Sequence, residues 1–190
     1  MKKIVIGITG ASGSIYGKRI IEKLNELGHE IHIIITDNGK KVFSHELEID
    51  FEYFLSLFDS NIHNYKIDDM FAPIASGSFK IDSMIIVPTS MGTMAKIANG
   101  ISDNLICRTA DVCIKEKINL TLVPRETPLS VIHLENMLKL SKIGINMVPP
   151  LPSFYDLPKN IDEIIDNSVG RIIKSSGIDN NFYNIWNGGD

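Results

Sequence analysis

The sequence predicts an α/β fold of three layers, a parallel sheet with helices on both faces. Three observations carry that expectation. Short, nearly continuous apolar runs recur along the chain, as in strands covered on both sides. Stretches with helical spacing separate them. Glycine or proline stands where most of the helices should stop and several strands should end. Strand and helix alternate five times, which favours a parallel sheet with right-handed crossovers.

Ile4 to Thr9 reads as the first strand. Ile15, Ile20, Ile21, Leu24 and Leu27 form the stripe of a helix that Gly28 ends. Ile31 to Thr36 is the second strand. In residues 38–70, Val42, Phe43, Phe51, Phe54, Leu55 and Phe58 suggest two short helices, and the small polar stretch Ala72 to Phe79 reads as a loop. Met84 to Val87 is the third strand, ended by Pro88. A helix from Thr93 to Asn99 stops at Gly100, and Ser102-Asp103 can cap the next, which runs to about Lys117. Leu120 to Val123 is the fourth strand. An amphipathic helix over Ser130 to Ser141 stops at Gly144, and Ile145 to Val148 makes the fifth strand. The proline-rich segment 149–158 cannot be regular. Asn160 with Glu163 marks a helix start for the stripe Ile161, Ile164, Ile165, Val169, Ile172 and Ile173, which Gly177 closes.

A chain of 190 residues with 44% hydrophobic content fits one domain with a sizeable core. The expected organisation is a single domain over 1–178 and a C-terminal tail over 179–190. A net charge of −4 offers no footprint for nucleic acid, so any anion site must come from locally placed Lys and Arg. Cys107 and Cys113 form no CxxC and do not share a helix face, which fits a reduced, cytoplasmic setting without disulfide or zinc. The five histidines show no metal-ligand spacing, so no metal is expected. Met1-Lys2-Lys3 with Ile4-Val5-Ile6 is too short and too soon interrupted by glycine for a signal peptide. No stretch approaches the roughly 18 apolar residues of a membrane span.

In an open α/β sheet, ligands bind at the carboxyl ends of the strands. Three strand ends here are chemically distinctive. After the fourth strand, Pro124 is followed by Arg125 and Glu126, a cation and a carboxylate able to hold an anion and move a proton. As a lone pair they would read better as a structural ion pair. Gly7 to Gly17 joins the first strand to its helix in a glycine-rich turn that can aim backbone N–H groups at an anion. It is neither a P-loop nor GxGxxG, and Ser12 falls at the helix start. Ser90, Gly92 and Thr93 follow the third strand, where helix capping is the bland role of the two hydroxyls. Arg108, Lys115 and Arg171 lie on helices and Tyr155 in the proline-rich segment, each ordinary taken alone. Glu46 reads as a helix-surface residue unless folding brings it inward.

With these motifs placed, the chain resembles the flavin prenyltransferases, the UbiX-like family formerly described as an aromatic acid decarboxylase subunit. The resemblance spans about Ile4 to Ile178. Its blocks, in order, are Gly7-Ile-Thr-Gly-Ala-Ser-Gly, Ala75-Ser-Gly-Ser, Ser90-Met-Gly-Thr, Ser102-Asp-Asn-Leu-Ile, Arg108-Thr-Ala-Asp-Val, Val123-Pro-Arg-Glu-Thr-Pro-Leu, His133-Leu-Glu-Asn-Met-Leu and Phe154-Tyr155. It implies a Rossmann-like flavoprotein, homo-oligomeric and typically dodecameric, with active sites between subunits. It implies that a dimethylallyl group passes from dimethylallyl phosphate to N5 and C6 of reduced FMN without metal. The product, prenylated FMN, would serve a separate decarboxylase.

Carried over by position, FMN would be held by Gly10, Ala11, Ser12, Thr36, Ser90, Met91, Gly92, Thr93 and Arg125. The prenyl phosphate would meet Lys115, Arg125, Glu126, Tyr155 and Arg171, with Arg108 and Glu46 at further active-site positions and Trp186 near the prenyl group. Ser12, Glu46, Lys115 and Glu126 are the catalytic candidates, Ser12 and Glu126 for proton handling. The family pattern differs here at Lys117-Ile118, where many relatives carry two basic residues, and at Thr36, where many carry Ser. Two other readings stay open: an FMN-dependent decarboxylase of cysteinyl substrates, and a non-catalytic flavin carrier. Relatives of the first kind usually carry a Pro-Ala-Ser-Ala-Asn-type block where this chain has Pro88-Thr-Ser-Met-Gly-Thr.

Overall fold

The computed structural model describes residues 1–58 and 61–183. Six parallel strands form one sheet: β1 (Lys3–Ile8), β2 (Glu30–Ile35), β3 (Ile62–Tyr65), β4 (Ser83–Thr89), β5 (Asn119–Pro124) and β6 (Asn146–Met147). Their order is β3-β2-β1-β4-β5-β6. Among the described residues, seven α-helices accompany them: α1 (Ser14–Glu26), α2 (Asp37–Leu47), α3 (Phe51–Leu55), α4 (Met91–Ala98), α5 (Leu105–Glu116), α6 (Val131–Lys142) and α7 (Ile161–Ser175).

Alternating strand side chains feed two cores. Ile4, Ile6, Ile8, Ile31 and Ile33 face α1, α2, α3 and α7, whereas Val5, Ile34, Met84 and Ile86 face α4 and α5. Burial of each such side chain stabilises the fold by about 1.5–3 kcal/mol relative to leaving it in water. Phe43, Phe51 and Phe54 form an aromatic cluster that holds α2 and α3 together.

The structure adds one strand. β3 escapes a reading by apolar runs because its sequence, Ile62-His63-Asn64-Tyr65, is an edge strand with two exposed central residues. Its parallel register with β2 carries the pairing. β4 does not end at Pro88 but continues to Thr89. The Thr9 amide and hydroxyl both donate to the Pro88 carbonyl, at 3.2 and 2.7 Å. β6 is shorter than expected, at two residues. α5 is capped by Asn104, which accepts from the Cys107 amide at 3.0 Å, while Asp103 turns away to pair with Lys96 at 2.6 Å. Asn160 and Glu163 start α7 as the sequence suggests.

α6 departs from expectation in another way. Only Leu140 of this helix is buried in the chain's own core. Val131, Ile132, Leu134 and Leu138 stand in the open. A stripe of this kind is the pattern of a face covered by another molecule. Among the described residues, no helix is long and apolar enough to cross a membrane.

Candidate active site

The strand order reverses between β1 and β4, the topological switch point where open α/β sheets form a crevice. Buried Thr9, just past β1, builds it. Its hydroxyl donates to the Pro88 carbonyl and accepts from the Ser90 amide, both at 2.7 Å. That fixes Ser90 as the N-cap of α4, where its Oγ accepts from the Thr93 amide at 3.3 Å and donates to Thr93 Oγ1 at 3.0 Å. Thr36 caps α2 in the same way, accepting from the Gly39 amide at 3.0 Å. A cavity of about 540 Å³ opens between these caps, lined by Gly10, Thr36, Ser90 and Thr93. Its volume is within the range of small-molecule and cofactor sites. Gly10 has no room for a side chain, because a Cβ would come within 2.7 Å of Asn38 Cβ.

The glycine-rich turn holds an anion of the chain's own. Glu46, near the end of α2, accepts from the Gly13 amide at 3.0 Å and the Ser14 amide at 2.8 Å. Gly13 adopts φ 113°, a left-handed conformation suited to glycine, which lets both amides face one carboxylate. Partial burial pushes the Glu46 pKa up. Hydrogen bonds from the Ser12 side chain and from the Ser14 and Gly13 amides outweigh that and hold it below the usual carboxylate range. Glu46 thus occupies the Gly13 and Ser14 amides of the turn. It is exposed on α2, as the sequence suggests, and also ties α2 to the start of α1.

Arg125 reaches the same turn. Its Nε donates to the Ser12 carbonyl at 3.0 Å. Glu126 does not pair with it; one carboxylate oxygen accepts from the Thr127 amide at 3.0 Å instead. The two residues thus diverge, Arg125 towards the glycine-rich turn and Glu126 into solvent. Ala11 and Met91 are buried and do not line the cavity. Gly92 opens onto free space, since nothing lies within 4 Å of where its Cβ would be.

The remaining basic candidates do not converge on this crevice. α5 starts at Asn104, on the cavity wall. Lys115 is in its last turn, about 16 Å further along the axis at 1.5 Å per residue. There it pairs with Glu116 at 3.3 Å. Arg108 fastens α5 to the turn Pro73–Ala75 through the Ala75 carbonyl at 3.0 Å and pairs with Asp111 at 3.0 Å. Arg171 is exposed on α7, and Tyr155 is part-exposed in the irregular 149–158 segment. Trp186 lies outside the described residues. Both cysteines are buried, and burial pushes the Cys113 thiol up to about 12, which rules it out as a thiolate nucleophile.

Asn38, Lys41 and Asn104 also line the cavity and escape the sequence reading. Asn38 and Lys41 follow the second strand directly, so attention to every strand end would have found them. Asn104 is visible as part of a cap but not as a wall.

Comparison with known proteins agrees with this geometry. The family model described as Flavoprotein matches residues 1–173. The chain is 47% identical over 184 residues to the flavin prenyltransferase UbiX of Methanocaldococcus jannaschii, covering 97% of this chain and 98% of the relative. Among solved structures, AnUbiX in complex with FMN and dimethylallyl pyrophosphate superposes with a TM-score of 0.94 at 40% identity, covering 100% and 99% of the two chains. A dodecameric FMN-dependent UbiX-like decarboxylase from Escherichia coli O157:H7 gives 0.92 at 40% identity, covering 98% and 100%.

Proposed function

The chain belongs to the flavin prenyltransferase family, and on that premise we propose that it transfers a dimethylallyl group from dimethylallyl phosphate to reduced FMN. The observation that carries the reading is the 540 Å³ crevice at the switch point, walled by hydroxyl-bearing helix caps and a glycine without space for a side chain. These small polar groups suit a flat, hydrogen-bonding ring system, and Lys41 adds a cation at the wall. Gly10, Ala11, Ser12, Thr36, Ser90 to Thr93 and Arg125 would hold FMN, which supplies the nucleophilic ring positions N5 and C6.

The donor's departing phosphate needs positive charge as its C–O bond breaks. Lys41 and Lys96 are cations lining this chain's own crevice, and Arg125 stands at the glycine-rich turn beside it. Lys115, Arg108, Arg171 and Tyr155 would serve the crevice of a neighbouring copy in this reading, and the bare apolar face of α6 supports an assembly of copies. This reading makes the active protein a homo-oligomer, a dodecamer like the Escherichia coli relative. Ser12 and Glu46 hold the turn under the flavin site, and Glu126 or the freed phosphate accepts the proton lost on ring closure. With cations supplied by side chains, transfer proceeds without metal. Residues 1–178 form the FMN-binding domain in this reading, 179–190 its tail, and the cytoplasm its setting. The product passes to a separate prenylated-FMN-dependent decarboxylase.

Phosphate release tests the reading. Under anaerobic conditions, dimethylallyl phosphate should release inorganic phosphate only with reduced FMN and in proportion to it. The alternative, decarboxylation of a cysteinyl substrate, predicts instead CO2 release from a cysteinyl peptide. Running dimethylallyl diphosphate in parallel decides which donor is used.

A further inference from the structure

Away from the crevice, the pairing of β2 with β3 builds a cluster that no spacing in the sequence signals. His32 and His63 are register partners on the two strands, and Glu30 lies on the same face of β2, two residues before His32. The two imidazoles stack with ring centres 4.9 Å apart. Glu30 Oε1 lies 3.1 Å from His32 Nε2 and 3.7 Å from His63 Nε2. All three ligand atoms fall within 4.8 Å of one another.

We propose that Glu30, His32 and His63 bind a divalent transition-metal ion of the zinc class. Bond lengths of about 2.0–2.2 Å to imidazole nitrogen and carboxylate oxygen put the ligands of a tetrahedral ion roughly 3.3 Å apart. The distances of 3.1 and 3.7 Å bracket that spacing. Two imidazoles and one carboxylate suit Zn²⁺ and its borderline neighbours rather than Mg²⁺ or Ca²⁺. His32 is already oriented for the task. It is buried, and its Nδ1 is within 2.9 Å of the Tyr65 hydroxyl, which leaves Nε2 to face the ion. Phe79 meets the same ring edge-on and shields it.

His63 is half exposed, and at 3.7 Å its Nε2 is aimed at Glu30 from beyond hydrogen-bond reach. A small turn of this ring completes the site. The cluster already attracts a cation, since Lys3 Nζ sits 3.2 Å from Glu30 Oε1 and over the Phe79 ring. A metal ion would displace it into solvent. The fourth position is left to water. The ion would clamp the four-residue edge strand β3 to β2, four residues before Thr36 on the crevice wall, or about 13 Å at 3.3 Å per residue. Its role is structural and separate from prenyl transfer.

The test is calorimetric titration of ZnCl2 into the full-length protein after chelator treatment and dialysis. One Zn²⁺ per chain is expected, with affinity at least tenfold weaker in His63→Ala and in Glu30→Gln. Zn²⁺ should raise the thermal midpoint of the parent protein and not of His63→Ala, while prenyl transfer is unchanged in that variant. His63 is exposed enough that its loss should leave the fold intact, which circular dichroism checks. No Zn²⁺ binding by the parent protein, or unchanged stoichiometry and affinity in both variants, overturns the proposal.

Discussion

Arg125 donates from Nε to the Ser12 carbonyl at 3.0 Å, joining the end of β5 to the turn after β1 across 113 residues of chain. This single bond fixes the cation at the glycine-rich turn. It also explains why Arg125 and Glu126, adjacent in sequence, act in different directions: the cation is fixed at the turn and the carboxylate is left outside.

Arg125→Ala should therefore weaken donor binding and loosen the turn together. The loss expected is about 1.5–3 kcal/mol for a charge-assisted contact. It should appear as a higher KM for dimethylallyl phosphate and a higher Kd for FMN. Lys at this position should restore part of the first effect only, because a lysine cannot both reach Ser12 and present a fork.

Glu126→Gln should act on turnover instead. A lost proton acceptor costs roughly 10²-fold or more in kcat, with the KM for the donor little changed. Equal effects of Glu126→Gln and Arg125→Ala on KM would assign Glu126 to binding and leave the departed phosphate as the proton acceptor.

Glu46 gives a dependence on acid. Its pKa is depressed in the folded state, so its contribution is fully present above the unfolded value, near 4.3, and is lost as pH falls through the folded value. The contribution is about 1 kcal/mol, discounted for the exposure of the carboxylate. Glu46→Gln should lower stability at neutral pH by that amount and flatten this acid-side loss. Chemical denaturation at pH 7 and at acidic pH measures both.

Sharing of sites between copies predicts complementation. Lys115→Ala and Arg125→Ala variants, each impaired at low donor concentration, should recover part of the activity when co-expressed, because some crevices then have both cations intact. Leu134→Glu with Leu138→Glu, on the bare face of α6, should dissociate the assembly and abolish turnover, seen by light scattering.

Much of this was legible in the sequence, and the parts that were not have a common cause. The buried strands announce themselves through apolar runs such as Ile31 to Ile35, and the crevice through Thr36, Ser90 and Thr93, because strand ends are set by local sequence. β3 was hidden because an edge strand needs no apolar run, and its partner supplies the pairing. Glu46 on Gly13 and Ser14, and His32 beside His63, are long-range contacts created by folding. The exposed stripe of α6 reads from sequence as an ordinary core-facing helix, since periodicity reports an apolar face but not what covers it. The same limit separates Lys115 from the crevice of its own chain.

The central claim is that this chain makes a new covalent bond to FMN. Mass spectrometry of the flavin extracted after anaerobic incubation with reduced FMN and dimethylallyl phosphate tests it most directly. The extracted flavin should gain the mass of one dimethylallyl group replacing hydrogen, dependent on the protein and reduced in Arg125→Ala at sub-saturating donor. Recovery of unmodified FMN from the parent protein, with either the monophosphate or the diphosphate donor, would contradict it.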